Sequence, residues 1–407
     1  MNLKKIMIGD YCIVTSSKRF HLSERVESGI PFYRSKEIIQ KFKGEVVTEC
    51  DYIPIDEYAN IERQFGAPRV GDLLLTTRGT YGVLYVYKEN DCFYFADGNI
   101  TWFKDFDESL NSKYLYYWFQ SYEGYQKVDA IAKGTAQKAV PITTLKQLEL
   151  YTPIIDLQNK IVNILSAYDS LIENNQKQIK LLEEAVQRLY KEWFIDLRFP
   201  GYENVEIVDG VPEGWNINRA DHYFKITIGK TPSRAEKQWF ANSGEGTPWI
   251  SISDMGEAGA FAFYSKEDLT AEAIVRHNMK VVPKGSVLVS FKLTVGRVAI
   301  TGIDMCTNEA IAHFYIDNDL DRAYTYCYLK NFEYDSLGNT SSISKAINSK
   351  IIKSMSFIMP SRDILEQFSM IVQPILNQIE LKQKMIFRLT ESRDRLLPKL
   401  MSGEIEV

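Results

Sequence analysis

The side chains with the clearest chemical potential in this chain are basic and hydroxyl groups in two similar loop segments. VGDLLLTTRGTYG (residues 70–82) and KGSVLVSFKLTVG (residues 284–296) each place a basic residue two positions before a threonine. These pairs are Arg78 with Thr80 and Lys292 with Thr294. Basic and hydroxyl side chains hold phosphates and read the edges of bases. The two segments therefore favour contact with nucleic acid.

Other loops of both halves carry the same residue types, and we predict that the whole group faces nucleic acid. In the first half the candidates are Lys18, Arg19, Arg34, Lys36, Arg78, Thr80, Tyr81, Lys133, Thr135, Gln137 and Lys138. In the second half they are Lys230, Thr231, Ser233, Arg234, Ser251, Ser253, Lys292, Thr294, Arg297, Ser342 and Lys345. For any one of them a solvated surface position is the simpler interpretation. Their clustering in corresponding loops of both halves favours a shared role.

Common catalytic and metal-binding motifs are missing from the sequence. It contains no GxxxxGK[ST] loop, no GxGxxG after a strand, no GxSxG and no HExxH. It also contains no Pro-Pro dipeptide, which an amino-methyltransferase motif of the Asn/Asp-Pro-Pro-aromatic type would need. The four histidines and five cysteines are scattered, without the spacing of a zinc site or a disulfide framework. We expect a non-catalytic chain without a metal or cofactor of its own.

Length and charge point to a multidomain protein with mixed surfaces. At 407 residues the chain is long enough for two or more domains. The net charge of −5 lacks the basic excess of many nucleic-acid binders, although a local basic surface is compatible with it. No signal peptide or membrane span is predicted, so we expect a cytoplasmic protein.

Two long helices are predicted from apolar residues that recur at alternating steps of four and three, the pattern of a coiled coil. The first stripe consists of Ile161, Leu165, Tyr168, Ile172, Ile179, Leu182, Val186, Leu189 and Trp193. The second consists of Phe368, Val372, Ile375, Ile379, Ile386, Leu389, Leu396 and Leu400. Pro200-Gly201 is expected to stop the first helix after a run without Gly or Pro.

The two helices are copies of each other. IENNQKQIKLLEEAVQRL (residues 172–189) matches IELKQKMIFRLTESRDRL (residues 379–396) at an offset of 207 (379 − 172). Asn175 and Lys382 occupy the same polar slot, and a polar layer there would fix the register of an antiparallel pair. We predict pairing through Ile172, Asn175, Ile179, Leu182, Leu189, Ile379, Lys382, Ile386, Leu389 and Leu396. The simpler alternative is two amphipathic helices that each pack on their own domain.

The repeat extends upstream of both helices. KAVPITTLKQLELYTPIIDLQ (residues 138–158) matches KAINSKIIKSMSFIMPSRDIL (residues 345–365) at the same offset. Each copy predicts a short helix, a strand, and an Asp (Asp156 or Asp363) that caps the long helix. We predict an α+β chain with a pseudo-two-fold tandem repeat: mixed α/β domains at 1–152 and 201–359, and helical spacers at 153–200 and 360–407.

This duplicated sequence resembles the specificity subunit of type I restriction–modification systems over its whole length. The most specific parts are the helix runs, LRFPGYENVEIVDGVPEGW (residues 197–215), the paired TPIIDLQNKI (152–161) and MPSRDILEQF (359–368), and RLLPKLMSGEI (395–405). The resemblance implies two target-recognition domains joined by an antiparallel coiled coil. Each domain would read one half of a split double-stranded DNA target, and the helices would set the spacing.

The same resemblance implies partners and places the chemistry outside this chain. It implies docking of two modification subunits that bind S-adenosylmethionine and methylate adenine. Restriction subunits, with ATP and Mg, would complete a nuclease. By the family pattern, the loops with Arg78 and Lys292 face the DNA.

Three alternatives remain open on the sequence. The chain is compatible with a non-catalytic duplicated scaffold or adaptor that binds only proteins. An enzyme with an unrecognised site, such as a nuclease or methyltransferase, is the second alternative. The third stays within the family, where a related system combines cleavage and methylation in one partner polypeptide.

Overall fold

A computed structural model describes residues 3–21, 25–134, 138–208, 210–337 and 347–407 of the chain. The chain divides into two units. The first unit joins Met1–Glu173 to Phe387–Val407, and the second is Asn174–Ile386. Each unit therefore combines one globular part with a segment of both long helices. Within the described ranges, every helix is too short or too polar to span a membrane.

The first half of the chain contains short strands and helices that lead into one long helix. Its strands are β1 (Lys4–Met7), β2 (Ile13–Thr15), β3 (Ile30–Tyr33), β4 (Asp51–Ile53), β5 (Leu73–Thr76), β6 (Leu84–Val86), β7 (Tyr94–Phe95), β8 (Ile100–Lys104) and β9 (Glu149–Thr152). Its helices are α1 (Ile8–Tyr11), α2 (Ser35–Phe42), α3 (Ile55–Phe65), α4 (Ser112–Gln120), α5 (Tyr122–Ile131), α6 (Ile142–Lys146) and α7 (Ile155–Tyr190).

The second half follows the same plan and also ends in a long helix. Its strands are β10 (Ile207–Val208), β11 (Val211–Pro212), β12 (Asn216–Arg219), β13 (Ile226–Ile228), β14 (Phe240–Asn242), β15 (Thr247–Ile250), β16 (Phe261–Ala262), β17 (Glu267–Leu269), β18 (Val287–Ser290), β19 (Val298–Thr301), β20 (Cys306–Thr307), β21 (Ile311–Phe314) and β22 (Ser356–Met359). Its helices are α8 (Ala220–Tyr223), α9 (Ile252–Glu257), α10 (Ala271–Arg276), α11 (Asp319–Asn331), α12 (Ser349–Lys353) and α13 (Arg362–Ser402).

The sheets of the two units have matching topology. In the first unit the order β2-β8-β5-β6 is antiparallel, and β4-β3-β7 contains a parallel β3–β7 pair. In the second unit β13-β21-β18-β19 and β17-β15-β20 repeat these orders, with β15 parallel to β20. Antiparallel β1–β9 and β12–β22 pairs correspond as well. The tandem repeat predicted from the sequence is therefore confirmed, and the second unit adds β14 and β16 to its sheets.

The main hydrophobic core of each unit contains residues from both long helices, taken from opposite ends. In the first unit, Ile161 and Leu165 near the start of α7 pack in one cluster with Leu397 and Leu400 near the end of α13. The second unit shows the reverse arrangement. There, Val186 and Tyr190 at the end of α7 pack with Phe368 and Val372 at the start of α13, all with at most 3% of their surface exposed. The helices therefore run antiparallel, as predicted.

The end of the first long helix differs from the expectation. The α-helix stops at Tyr190 and continues as a π-helical turn over Lys191–Ile195, before the predicted stop at Pro200-Gly201. This turn directs Trp193 and Phe194 into the second core, where the Phe194 ring centroid lies 4.9 Å from that of Phe368. Packing of these aromatic rings offsets the less favourable π-helical geometry.

Two further details of the helices were not foreseen correctly. Asp156 and Asp363, expected as helix caps, lie inside the first turns, where their charges still complement the helix dipoles. Pro374 lies in the interior of α13, although proline removes a helical hydrogen bond. Its neighbours Val372 and Leu376 are fully buried, so tertiary packing overrides the local preference.

Predicted pairing positions are buried to different degrees. Ile172, Asn175 and Ile379 are buried. The half-buried positions are Ile179, Leu182, Leu189, Lys382, Ile386, Leu389 and Leu396. The contact of Asn175 with Lys382 stays a prediction.

A second polar slot, Arg393, forms an ion pair between the helices of the first unit. Its Nη1 lies 2.7 Å from Oδ1 of Asp169 in α7. The other oxygen of Asp169 accepts a hydrogen bond from the Tyr117 hydroxyl at 2.5 Å. Burial, followed by this bond, raises the pKa of Tyr117. The phenol therefore remains a donor, and the charged layer connects α4, α7 and α13.

We predict that Asp169→Ala lowers the free energy of unfolding by about 1–3 kcal/mol, because two partly buried donors lose their acceptor. Chemical denaturation measures this change. Glu391→Ala is the control: it removes an exposed pair with Arg395 and should change stability by less than about 0.5 kcal/mol. Equal effects of the two substitutions would contradict a structural role for the Asp169 layer.

Candidate nucleic-acid interface

The first candidate loop, residues 77–82, is held at its base by Thr76. The Thr76 carbonyl accepts a hydrogen bond from the Gly82 N–H at 2.9 Å. Its hydroxyl accepts from the Val83 N–H at 3.1 Å. Thr76 is fully buried, so water does not compete for these bonds. We call this segment the first tip loop.

The second tip loop, residues 291–296, has the same base. The Ser290 carbonyl accepts from the Gly296 N–H at 2.9 Å, and its hydroxyl accepts from the Arg297 N–H at 3.0 Å. The Arg297 guanidinium is half-buried and donates to the Ile252 carbonyl at 2.5 Å. The guanidinium of Arg297, a predicted DNA contact, is thus bonded to the protein backbone at Ile252.

Both tips expose a basic and a hydroxyl side chain. Arg78 and Thr80 lie on the first tip loop, and Lys292 and Thr294 on the second; all four residues are exposed. Among the residues that the structure describes, the side chains of these four form no hydrogen bond or ion pair; only the backbone carbonyl of Thr294 accepts a bond, from the Ser290 hydroxyl. Their hydrogen-bonding capacity is available to a ligand, unlike that of most other candidates.

A neighbouring segment brings further basic residues to the first tip loop. The Ala139 backbone pairs with Arg78 on one side and with Lys133 on the other. The Lys133 N–H donates to the Ala139 carbonyl at 2.9 Å, while its side chain is exposed. Residues far apart in sequence therefore form one basic surface beside the tip.

Tyr81 and Lys138 belong to an exposed network around Asp129. The Lys138 ammonium lies 2.9 Å from the carboxylate and 3.3 Å from the Tyr81 hydroxyl, which also donates to Asp129. The bonds from Tyr81 and then Lys138 lower the pKa of Asp129, and the Asp129 bond raises the pKa of Lys138. Lys138 is therefore fully charged at neutral pH but partly neutralised by its partner.

The other described candidates of the first half follow the strands β2 and β3. Lys18 and Lys36 are exposed. Arg19 and Arg34 are also exposed but form ion pairs, at 3.0 Å with Asp97 and at 2.6 Å with Asp51. DNA would have to displace these carboxylates to use either guanidinium fully.

The loop between β7 and β8 connects these positions to the first tip loop. Its Gly98 N–H donates to the Ser16 hydroxyl at 3.3 Å. Its Asn99 carbonyl accepts from the Thr77 N–H at 2.8 Å and from the Ser35 hydroxyl at 3.5 Å. The ends of three strands thus meet at one loop, which brings the segments that follow β2, β3 and β5 close together.

In the second unit, the loop after β13 uses its candidates internally. Lys230 donates to the Asn278 carbonyl at 3.2 Å, and the Thr231 hydroxyl donates to Glu309. The bond from Thr231 lowers the pKa of Glu309, which stays ionised. Ser233 is exposed.

Arg234 in the same loop is held by three partners. Its guanidinium lies 4.4 Å from the ring centroid of Phe240 and 4.6 Å from that of Trp249. Glu267 pairs with it at 2.5 Å. These contacts orient a planar donor group at the surface, although Glu267 competes with any phosphate.

The serine candidates near α9 also have internal partners. Ser251 caps the helix, and its hydroxyl bonds Asp254 at 2.6 Å. The Ser253 hydroxyl accepts from Lys266 at 3.2 Å. Four further candidates lie outside the described residues: Thr135, Gln137, Ser342 and Lys345.

His313 illustrates the histidine interpretation made from the sequence. It is fully buried between two hydroxyls, with Thr227 2.9 Å from its Nδ1 and Thr307 2.6 Å from its Nε2. Burial lowers its pKa to about 3. This neutral, satisfied ring is a structural residue of the second unit.

Sequence reasoning missed Leu293 at the second tip. Its side chain is 95% exposed, and its backbone has a φ of 60°, in the left-handed region that costs a non-glycine residue about 1–2 kcal/mol. The corresponding residue of the first tip loop is Gly79, with a φ of 69°. A leucine aligned with a glycine in a turn was the signal that could have found it.

Comparison with known families decides what this duplicated architecture is. The profile of the type I restriction modification DNA specificity domain matches residues 2–184 and again residues 212–391. The chain belongs to this family. The two matches follow the two halves of the tandem repeat, so each half is one specificity domain.

Relatives of this specificity protein cover most of its length. It is 28% identical over 363 residues to the type I restriction enzyme MjaIX specificity subunit of Methanocaldococcus jannaschii, covering 83% of this chain and 78% of that protein. It is 26% identical over 353 residues to the HindI specificity subunit of Haemophilus influenzae, covering 69% and 74%. A crystal structure of a type I S subunit from M. genitalium shares the fold at a TM-score of 0.61, with 17% identity and 98% and 96% coverage.

For the specificity domain of the first half, we predict that Arg78→Ala weakens binding of the cognate DNA by about 1–3 kcal/mol and relaxes the first half-site if Arg78 reads a base. Competition binding against single-base variants measures both effects. Lys113→Ala, which removes another exposed cation of the first unit, is the control. Unchanged affinity together with unchanged base preference would remove Arg78 from the interface.

For the second specificity domain, Ser290→Ala should lower the free energy of unfolding by about 1–3 kcal/mol. The buried hydroxyl accepts from the Arg297 N–H and donates to the Thr294 carbonyl at 2.6 Å. The preference for particular nucleobases should decline at the second half-site only, because the hydrogen bonds that hold the second tip loop are lost. Ser336→Ala, at an exposed site, is the control. Equal loss at both half-sites would contradict a local role.

Proposed function

We propose that this chain is the DNA-recognition subunit of a type I restriction–modification complex. Each specificity domain reads one half of a bipartite double-stranded target, and the paired long helices set the spacing of the halves. The observation that carries the proposal is the repeated tip loop. The two tip loops are held by the same pattern of hydrogen bonds, from Thr76 in one and Ser290 in the other. They present different side chains, Arg78-Gly79-Thr80 and Lys292-Leu293-Thr294, which suits two different half-sites.

The chemistry of the system resides in partner subunits under this proposal. Two modification subunits bind S-adenosylmethionine and methylate adenine within the target, and restriction subunits use ATP with Mg. The complex works in the cytoplasm, where the chromosome is. The chain supplies recognition and a docking scaffold, which fits a sequence with basic loops and an acidic total charge.

Mapping of methylated adenines in the host genome tests this function directly. We expect a split, asymmetric methylated motif that disappears when the gene for this chain is deleted. Re-expression of the chain should restore the same motif, whereas a chain with its second domain exchanged should change one half of the motif only. An unchanged methylation pattern after deletion would contradict the proposal.

Binding by the purified complex provides a second test. DNA containing the motif should bind with an affinity that falls as salt rises, since contacts to phosphates release counterions. The adaptor alternative makes the opposite prediction. Under it, neither the chain alone nor the chain with its modification partner shifts DNA in a salt-dependent manner.

A further inference from the structure

The second tip loop presents one apolar side chain, Leu293, between two polar ones. Leu293 is 95% exposed and adopts a left-handed backbone conformation. Lys292 and Thr294 flank it, and both are exposed. Val295, the next apolar residue, is 39% exposed. The Leu293 side chain contributes little to the core of its unit, and the left-handed backbone at this position is unfavourable for a leucine.

The first tip loop shows that the turn does not require a side chain at this position. Gly79 takes the same left-handed conformation there, above the same base of hydrogen bonds. Glycine adopts this conformation without steric cost. The leucine therefore weakens the local structure, and exposed strain of this kind points to a function.

We infer that Leu293 is a specificity-determining residue of the second half-site, where it contacts the C5-methyl group of a thymine in the major groove. This inference rests on the proposed DNA-recognition function. The thymine methyl is the apolar group that base edges present in that groove. Lys292 and Thr294, on either side, have the chemistry to hold a phosphate and a neighbouring base edge.

The exposure of Leu293 favours a methyl contact over insertion between base pairs. A side chain that separates stacked bases must resist the cost of unstacking. Leu293 has almost no protein surface behind it to provide that resistance, since 95% of it is exposed. A methyl contact needs only a fixed position, which the buried Ser290 provides at the base of the loop.

The test combines removal of the Leu293 side chain from the protein with removal of single thymine methyl groups from the DNA. The full complex with its modification subunits binds target duplexes in which each thymine of the second half-site is replaced in turn by deoxyuridine. Only the methyl group is lost. Wild type should lose about three- to tenfold in affinity at one position. Leu293→Gly should lose a similar factor on thymine DNA and be indifferent to uracil at that position.

Two controls separate this contact from a folding defect. Leu293→Gly reproduces the residue of the first tip loop, so its melting temperature should equal or exceed that of wild type. Val275→Ala removes another exposed apolar side chain, 82% exposed on α10, and should bind as wild type does. Replacement of thymines in the first half-site should affect wild type and Leu293→Gly equally.

The outcomes are distinct. Wild-type affinity of Leu293→Gly, together with indifference of wild type to uracil throughout the second half-site, would overturn the inference. Weaker binding by Leu293→Gly that is the same on thymine and uracil DNA would place the leucine against sugar or stacked bases and overturn the methyl assignment. Failure of the wild-type complex to bind any target would instead overturn the proposed function, and this inference with it.

Discussion

The antiparallel pairing of α7 and α13 is the constraint on which both units depend. Each core is completed by helix ends that come from opposite halves of the sequence. Leu400, near the end of the chain, is buried in the core of the first unit, and Trp193, from the first long helix, is buried in that of the second. The first unit is therefore not a contiguous segment, because it combines Met1–Glu173 with Phe387–Val407, and the main core of each unit needs residues of both long helices.

Much of this architecture could be predicted because it rests on periodicity. The stripes of α7 and α13 identify buried faces, and the offset of 207 identifies the duplication, since both follow from residue spacing alone. The π-helical turn before Ile195 and the interior Pro374 could not be predicted. Local propensity argues against both, and they are stabilised by aromatic and aliphatic packing between distant residues.

The candidate site was predicted less completely because exposure and internal pairing decide which polar residues are available. The sequence placed both Arg78 and Arg297 among the predicted DNA contacts. In the structure the Arg78 side chain is exposed at a tip, whereas the Arg297 guanidinium donates to a carbonyl inside its own unit. Ser290 was not singled out although it supports the second tip, because a buried serine in a strand has no distinctive sequence signature.

In the proposed DNA interface, internal ion pairs would allow an acidic chain to bind DNA selectively. Carboxylates partly neutralise several candidate cations, as in Arg19 with Asp97 and Arg234 with Glu267. A phosphate must displace these carboxylates, so the electrostatic gain from any DNA sequence is reduced. The cations of Arg78 and Lys292 make no such pair within the described ranges. Affinity then depends more on contacts at the tips, where the two domains differ, and less on the backbone that every DNA shares. Weak nonspecific attraction thus favours discrimination between targets.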